Sequence, residues 1–285
     1  MRRSLVAVLV LGVLLVLAPG CQGLRERITM KKGHELYKAQ KYDEAIKKYK
    51  EILVMDPGNY TAIYQIAMSN LAMYHPGSAH PKDKEYAIQS IEYLEKLMTL
   101  QAPDKDTQER VIKYYLSLLA SAEMSDKAVA FMEKELAKDP NNVETVLQLA
   151  NLYAKKGDFP NAWKYFTKRA ELDPKNKAAW YTVGVVAWER SYKGKEMVSD
   201  GERETTLIPQ GLAAFDKAIA IDPDYFDALV YANLLYREKA AVLGRQNRLE
   251  EAQAAMTTAN TYKDRASAAR KKQMEAEKSK AGAGA

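Results

Sequence analysis

The sequence predicts an all-α chain, a stack of about six helical hairpins closed by a long C-terminal helix, and three observations carry that prediction. Asp-Pro recurs at 56–57, 139–140, 173–174 and 222–223, each time after an apolar helical run. Pro140 and Pro174 are 34 residues apart, a length that suits one two-helix unit. No segment of the body sustains the period-two alternation of a half-buried strand. Proline cannot continue a helix, so each Asp-Pro reads as a boundary between units.

The N-terminus comes first in the chain. Met1-Arg2-Arg3 is a positive start, and Leu5 to Leu17 carries no polar side chain. As a helix this run spans about 20 Å, short of the roughly 30 Å hydrocarbon core of a bilayer. It therefore reads as a secretory leader, residues 1–20, and not as a membrane span. Small Ala18 and Gly20 precede Cys21, the only cysteine in the sequence. The stretch Leu17-Ala-Pro-Gly-Cys21 resembles the lipobox of bacterial lipoproteins. That resemblance implies cleavage before Cys21, acylation of its sulfur and amine, and a short tether over residues 21–25. Leu17 stands four residues before the cysteine instead of three, and Pro19 departs from the usual pattern. A plain cleavage leaving a free thiol, or a buried core cysteine, remain as alternatives. Gln22 in place of Asp implies, by the enteric sorting rule, an outer-membrane anchor facing the periplasm.

The body from 26 to 262 carries the repeats. Between Pro140 and Pro174 lie Ala150, Tyr153, Gly157, Phe159, Ala162 and Phe166 at helical spacings. Small Ala150 and Ala162 allow two helices to approach, the rings fill the space between them, and Gly157 permits the turn. This pattern resembles the tetratricopeptide repeat, a pair of antiparallel helices. Fainter copies are marked by Gly33 with Tyr49, by Ala67 with Ala87, by Ala128, by Trp180 and Gly184 with Phe215, and by Ala228 with Ala252. Insertions interrupt the series near 74–84 and 191–209. From Leu249 the composition supports one long helix, with 263–285 as a basic extension and Ala281-Gly-Ala-Gly-Ala285 as its frayed end.

Composition and motifs narrow the function. The formal charge is +6, of which Arg2 and Arg3 of the leader supply two and the stretch after Tyr262 supplies the rest, with acids and bases balanced through the body. That gives no basic stripe for a nucleic-acid partner. No glycine-rich phosphate loop, nucleophile elbow or HExxH motif occurs, so no catalytic residue and no cofactor is assigned. His75, His80 and Asp83 share one insertion and are the only candidate metal ligands, but two exposed histidines in a Pro- and Gly-containing loop usually mark just a loop, so no metal is assigned. An envelope enzyme or metal protein acting through the insertions, and a self-assembling structural protein whose groove holds its own C-terminal helix, stand as rival readings.

The repeat resemblance implies a concave groove lined by the first helix of each pair, occupied by a protein or peptide partner. Residues three or four apart on that face are Tyr64 and Met68, then Leu147, Asn151 and Lys155, then Tyr181, Val185 and Trp188, then Leu234 and Arg237. Some such repeats hold a terminal carboxylate between a lysine and an asparagine. Here Asn151 matches, but Leu147 takes the place of the lysine. The whole then reads as a lipid-anchored periplasmic adaptor of the bacterial envelope, in biogenesis or secretion, with no metal, no nucleic acid and an open oligomeric state.

Overall fold

The computed structural model describes residues 19–194 and 197–282, with side chains from Gln22 to Ser279. Among them every regular element is helical. The chain forms two compact units, one ending at Met124 and the other beginning at Ser125. The first holds α1 (Pro19–Lys38), α2 (Tyr42–Met55), α3 (Tyr60–Met73), α4 (Pro81–Thr99) and α5 (Lys105–Ser121). The second holds α6 (Ser125–Lys138), α7 (Val143–Lys155), α8 (Phe159–Leu172), α9 (Lys177–Lys193), α10 (Asp200–Glu202), a π-helical turn (Arg203–Leu207), α11 (Ile208–Ile221), α12 (Phe226–Arg245) and α13 (Leu249–Gly282). The expected hairpins are the packed pairs α1/α2, α3/α4, α7/α8, α9/α11 and α12/α13. The third expected repeat is divided instead: α5 packs on α4, α6 packs on α7, and the unit boundary falls in the turn between them.

The Asp-Pro links have one local design. Asn59, Asn142, Asn176 and Tyr225 donate their backbone N–H to the carbonyls of Asp56, Asp139, Asp173 and Asp222, closing β-turns with proline at the second position. The carboxylates of Asp56, Asp139 and Asp222 accept the backbone N–H two residues on. Asn59, Asn142 and Asn176 then cap α3, α7 and α9 with their side chains. One tetrapeptide thus ends a helix, turns the chain and starts the next.

The tight turns within hairpins use a different device. Lys41, Asp158 and Arg248 donate their N–H to the carbonyls of Leu36, Tyr153 and Leu243, at 2.9, 3.0 and 3.0 Å. Each is a six-residue closure that requires a left-handed residue just after the helix. Those residues are Gln40 (φ 60°), Gly157 (φ 74°) and Asn247 (φ 60°). Only one is glycine.

Packing between the paired helices depends on small residues at the crossing. A Cβ built on Gly33 would lie 2.5 Å from the Tyr49 ring, and one on Gly184 would lie 2.4 Å from the Phe215 ring. Tyr49 and Phe215 are fully buried. Successive elements are also tied by hydroxyl bonds, Tyr115 to Glu95 at 2.7 Å and Tyr153 to Glu133 at 2.6 Å. Burial, and then the neighbouring carboxylate, hold both phenols well above the ordinary tyrosine range, so they stay donors.

The insertion expected at 191–209 is more helical than anticipated. α9 runs on to Lys193, and residues 200–207 wind directly into α11. A network of ion pairs fastens this segment to the α12–α13 turn. Asp200 accepts from Arg245 twice at 2.8 Å and from Arg203 at 2.6 Å, while Arg248 bridges Glu204 and Glu251. The hydrogen bond from Arg245, then that from Arg203, hold the Asp200 carboxyl at about 2. A carboxylate with a lowered pKa contributes stability that is complete above its unfolded value near 4 and is lost as pH falls toward 2. Amide exchange in residues 200–207, corrected for intrinsic rates, is expected to accelerate relative to α7 and α8 across that interval. Asp200→Asn should shrink this pH-dependent step to the part that Glu204 carries through Arg248, and an unchanged profile in that variant would remove the Asp200 carboxylate from the clamp.

The long C-terminal helix expected from Leu249 runs unbroken past Tyr262 into the basic extension. It continues because Ala255, Ala259, Ala266 and Ala269 form a buried seam of small side chains along the helix. Tyr262 stacks on Tyr236 at 5.5 Å and donates to Asp216 at 2.9 Å, and Lys272 reaches Asp224 at 2.8 Å. Of the end expected to be frayed, Ala281 and Gly282 are helical and the last three residues lie outside the described ones. Over residues 21–25, the expected tether, the α1 backbone is helical, as it is from Pro19. The leader, residues 1–18, and the Cys21 side chain lie outside the described residues.

Candidate functional site

The strongest convergence of predicted site residues is aromatic. Tyr181 and Trp188 lie seven residues apart on α9, two helical turns, with Val185 between them on the same half-buried stripe. Tyr181 meets Tyr225 at 5.5 Å between ring centroids, Tyr231 at 5.6 Å and Phe215 at 6.2 Å. Trp188 stacks on Tyr192 at 5.2 Å and receives Tyr231 edge-on at 5.1 Å. Tyr231 of α12 is thus the hub that joins both rings of α9.

This cluster has a buried root and an open rim. Phe215 is fully buried, Tyr181, Trp188, Tyr225 and Tyr231 are half-buried, and Tyr192 is 46% exposed. Packing against neighbouring helices and presenting a surface are therefore combined in the same side chains. Mutual edge and stacking contacts fix the rings, so little side-chain entropy remains to be lost when a ligand lies against them. Burial, followed by the nearby Tyr231, pushes the Tyr181 phenol well above its ordinary range. It is a neutral hydrogen-bonding group at physiological pH. At the cluster's edge the Lys177 ammonium sits 4.7 Å over the Tyr225 ring while pairing with Asp222.

The remaining predicted residues fall around this cluster or in the other unit. Leu147 is half-buried on α7, with Asn151 and Lys155 exposed beyond it. The rings that contact Tyr181 and Trp188 come from α9, α11, α12 and the residue before α12, not from α7. Leu234 is half-buried on α12, one turn from Tyr231. Arg237 turns toward α13, donating to Asn233 at 3.0 Å and Asn260 at 3.3 Å, so it braces the terminal hairpin. In the first unit, Met68 is half-buried on α3, and Tyr64 hydrogen-bonds Tyr114 of α5, with Tyr37 of α1 near enough to influence its ionisation. That unit therefore has its own tyrosine patch on first helices.

The sequence reading missed Tyr37, Tyr114, Tyr192, Tyr225 and Tyr231. A compositional signal was present in the excess of tyrosine over phenylalanine, 18 against 5. Phenol rings suit a half-buried face, where one edge meets the core and the hydroxyl meets water.

The histidine-bearing insertion is organised by Asp83 without converging on a vacant point. Asp83 is 8% exposed and accepts from the His75 backbone at 3.0 Å and from Ser78 at 2.6 Å, with the His75 ring at 3.0 Å. His80 instead turns its ring nitrogen to the Lys82 N–H and caps α4. Among the described residues no group of three or more His, Cys, Asp or Glu is placed to hold a metal ion. α13 packs on α12 as the second helix of its hairpin.

Paired helices linked by Asp-Pro turns, with small residues where they cross, define the class: a helical-hairpin solenoid of the tetratricopeptide type, an architecture suited to protein–protein interaction. Residues 145–178 match the model of the tetratricopeptide repeat family. No curated protein matches the chain in sequence. Among solved structures it is similar to a TPR repeats protein from Bacteroides fragilis, at 12% identity over 74% of this chain and 97% of that one, with a TM-score of 0.49. It is also similar to YrrB, described as a TPR protein with an unusual peptide-binding site, at 21% identity over 70% and 88% of the two chains and a TM-score of 0.37. A third is MamA from Desulfovibrio magneticus, at 17% identity over 73% and 97%, with a TM-score of 0.38.

Proposed function

We propose that this protein is a membrane-anchored periplasmic adaptor of the bacterial envelope, acting in biogenesis or secretion. Acyl chains on Cys21 hold it at the outer membrane, and the aromatic face of α9 and α12 takes an extended or helical peptide of a protein partner. The observation that carries the binding role is the Tyr181–Tyr231–Trp188 cluster, which is ordered by its own ring contacts yet open at Tyr192. The leader and Cys21 support the anchor. Among the described residues no helix is long and apolar enough to cross a membrane.

Trp188→Ala is expected to weaken capture of the envelope partner by about 2 kcal/mol or more, the cost typical of an aromatic anchor. Its melting temperature should fall only slightly, because Trp188 is half-buried while its core neighbour Trp180 is 6% exposed. A large melting shift with unchanged affinity would assign Trp188 to packing alone. For the anchor, cells fed labelled fatty acid should label the protein, and Cys21→Ser should abolish both the label and detergent-dependent extraction. A serine variant that stays labelled would sink the lipid reading.

A further inference from the structure

The outward face of α1 is unlike any other surface described so far. Leu24 and Ile28 are 62% and 60% exposed, one helical turn apart. Arg25 and Lys32 flank them on one side, Arg27 and Lys31 on the other, and all four are exposed. At 100° per residue these six side chains share one arc, with Glu35 as the one acid on it. The other acid of this stretch, Glu26, turns inward and accepts from Asn59 at 2.6 Å. Gly33, on the opposite side, is buried against Tyr49. The helix thus separates an apolar pair ringed by cations from a face packed on α2.

We infer that this arc of α1 is a contact surface for an anionic phospholipid membrane. Charge complementarity selects the partner, since four cations surround two side chains able to enter the acyl boundary, the pattern of a helix lying in a membrane interface. Continuity supports it, because the α1 backbone is helical from Pro19 and so no flexible tether separates Cys21 from the arc. Leu24 and Arg25 lie one turn, about 5 Å, beyond Cys21 along the axis. The inference rests on the proposed acylation for placing α1 at the bilayer. With it, the helix lies on the membrane and orients the first unit, and one acyl-bearing residue need not act as a loose leash.

The test uses the mature chain, residues 21–285, carrying Cys21→Ser and purified without leader or acyl groups, in co-sedimentation with vesicles of phosphatidylglycerol and phosphatidylethanolamine or of phosphatidylcholine alone. Binding is expected to the anionic vesicles, to weaken steeply with added salt, and to be nearly absent on phosphatidylcholine. Replacing Arg25, Arg27, Lys31 and Lys32 with glutamine should weaken it by about 100-fold or more. Leu24→Ser with Ile28→Ser should also weaken it, while helical content by circular dichroism stays unchanged. Glutamine at Lys271 and Lys278 of α13 should leave binding intact. No binding to anionic vesicles, or loss through the α13 variant only, would overturn the inference, and self-association abolished by the α1 variants without vesicle binding would give the face to a second copy. Fatty-acid labelling separates the two ideas: a labelled Cys21 with no vesicle binding by the serine variant leaves the anchor standing and removes the surface, and the reverse result removes the anchor.

Discussion

Phe215→Ala is expected to lower folding stability by about 3–5 kcal/mol, read from denaturant unfolding, because it empties a fully buried site at the centre of a helix crossing. The same ring supports Tyr181 and Tyr231 at 6.2 Å each, so the aromatic face should lose order with it. Gly184→Leu approaches this contact from the other side. A Cβ there would stand 2.4 Å from the ring, and the cost is expected at about 1–3 kcal/mol. In the Phe215→Ala background that penalty should largely vanish, since the obstructing ring is gone. Equal penalties in both backgrounds would show that the two residues do not share the crossing.

Arg203→Ala is expected to cost about 3–5 kcal/mol, the second large effect, because it strands an acid in the interior. Arg203 and Glu238 are 5% and 6% exposed and 3.9 Å apart, a charge contact too long for a hydrogen bond. Arg203 also donates to the Ser191 carbonyl at 3.0 Å and to Asp200. Replacing Arg203 and Glu238 together with methionine should recover most of the loss, since removing both charges also removes their desolvation. If the double variant is as unstable as Arg203→Ala, the hydrogen bonds to Ser191 and Asp200 carry the stability and the charge pair does not.

What the sequence determined by itself was whatever depends on neighbours along the chain. The Asp-Pro links were legible because proline, an Asx turn and an asparagine cap act within four residues. Gly157 marked its turn, and the alanines of α13 declared a helix. Small residues at Gly33, Gly184 and Ala162 also showed where helices cross, since only a missing or minimal side chain suits that spacing. The left-handed residues Gln40 and Asn247 gave no comparable signal, because their conformation is imposed by the six-residue closure and not by their own preference.

Only the tertiary structure decided which residues meet across the chain. Tyr231 could not be placed between Tyr181 and Trp188 from spacing, because the angle between α9 and α12 sets that contact. Arg237 carried the right periodicity for the first-helix face, yet a carboxamide on α13 drew it away. The insertion near 191–209 became a clamp, since Asp200 reaches Arg245 over a separation of 45 residues. The outward arc of α1 emerged for the same reason: packing of α1 on α2 decides which of its faces, that of Leu24 and Ile28, stays uncovered. Local chemistry sets turns and helices, whereas burial is a property of the assembled surface, and it is burial that chooses the face left free to bind.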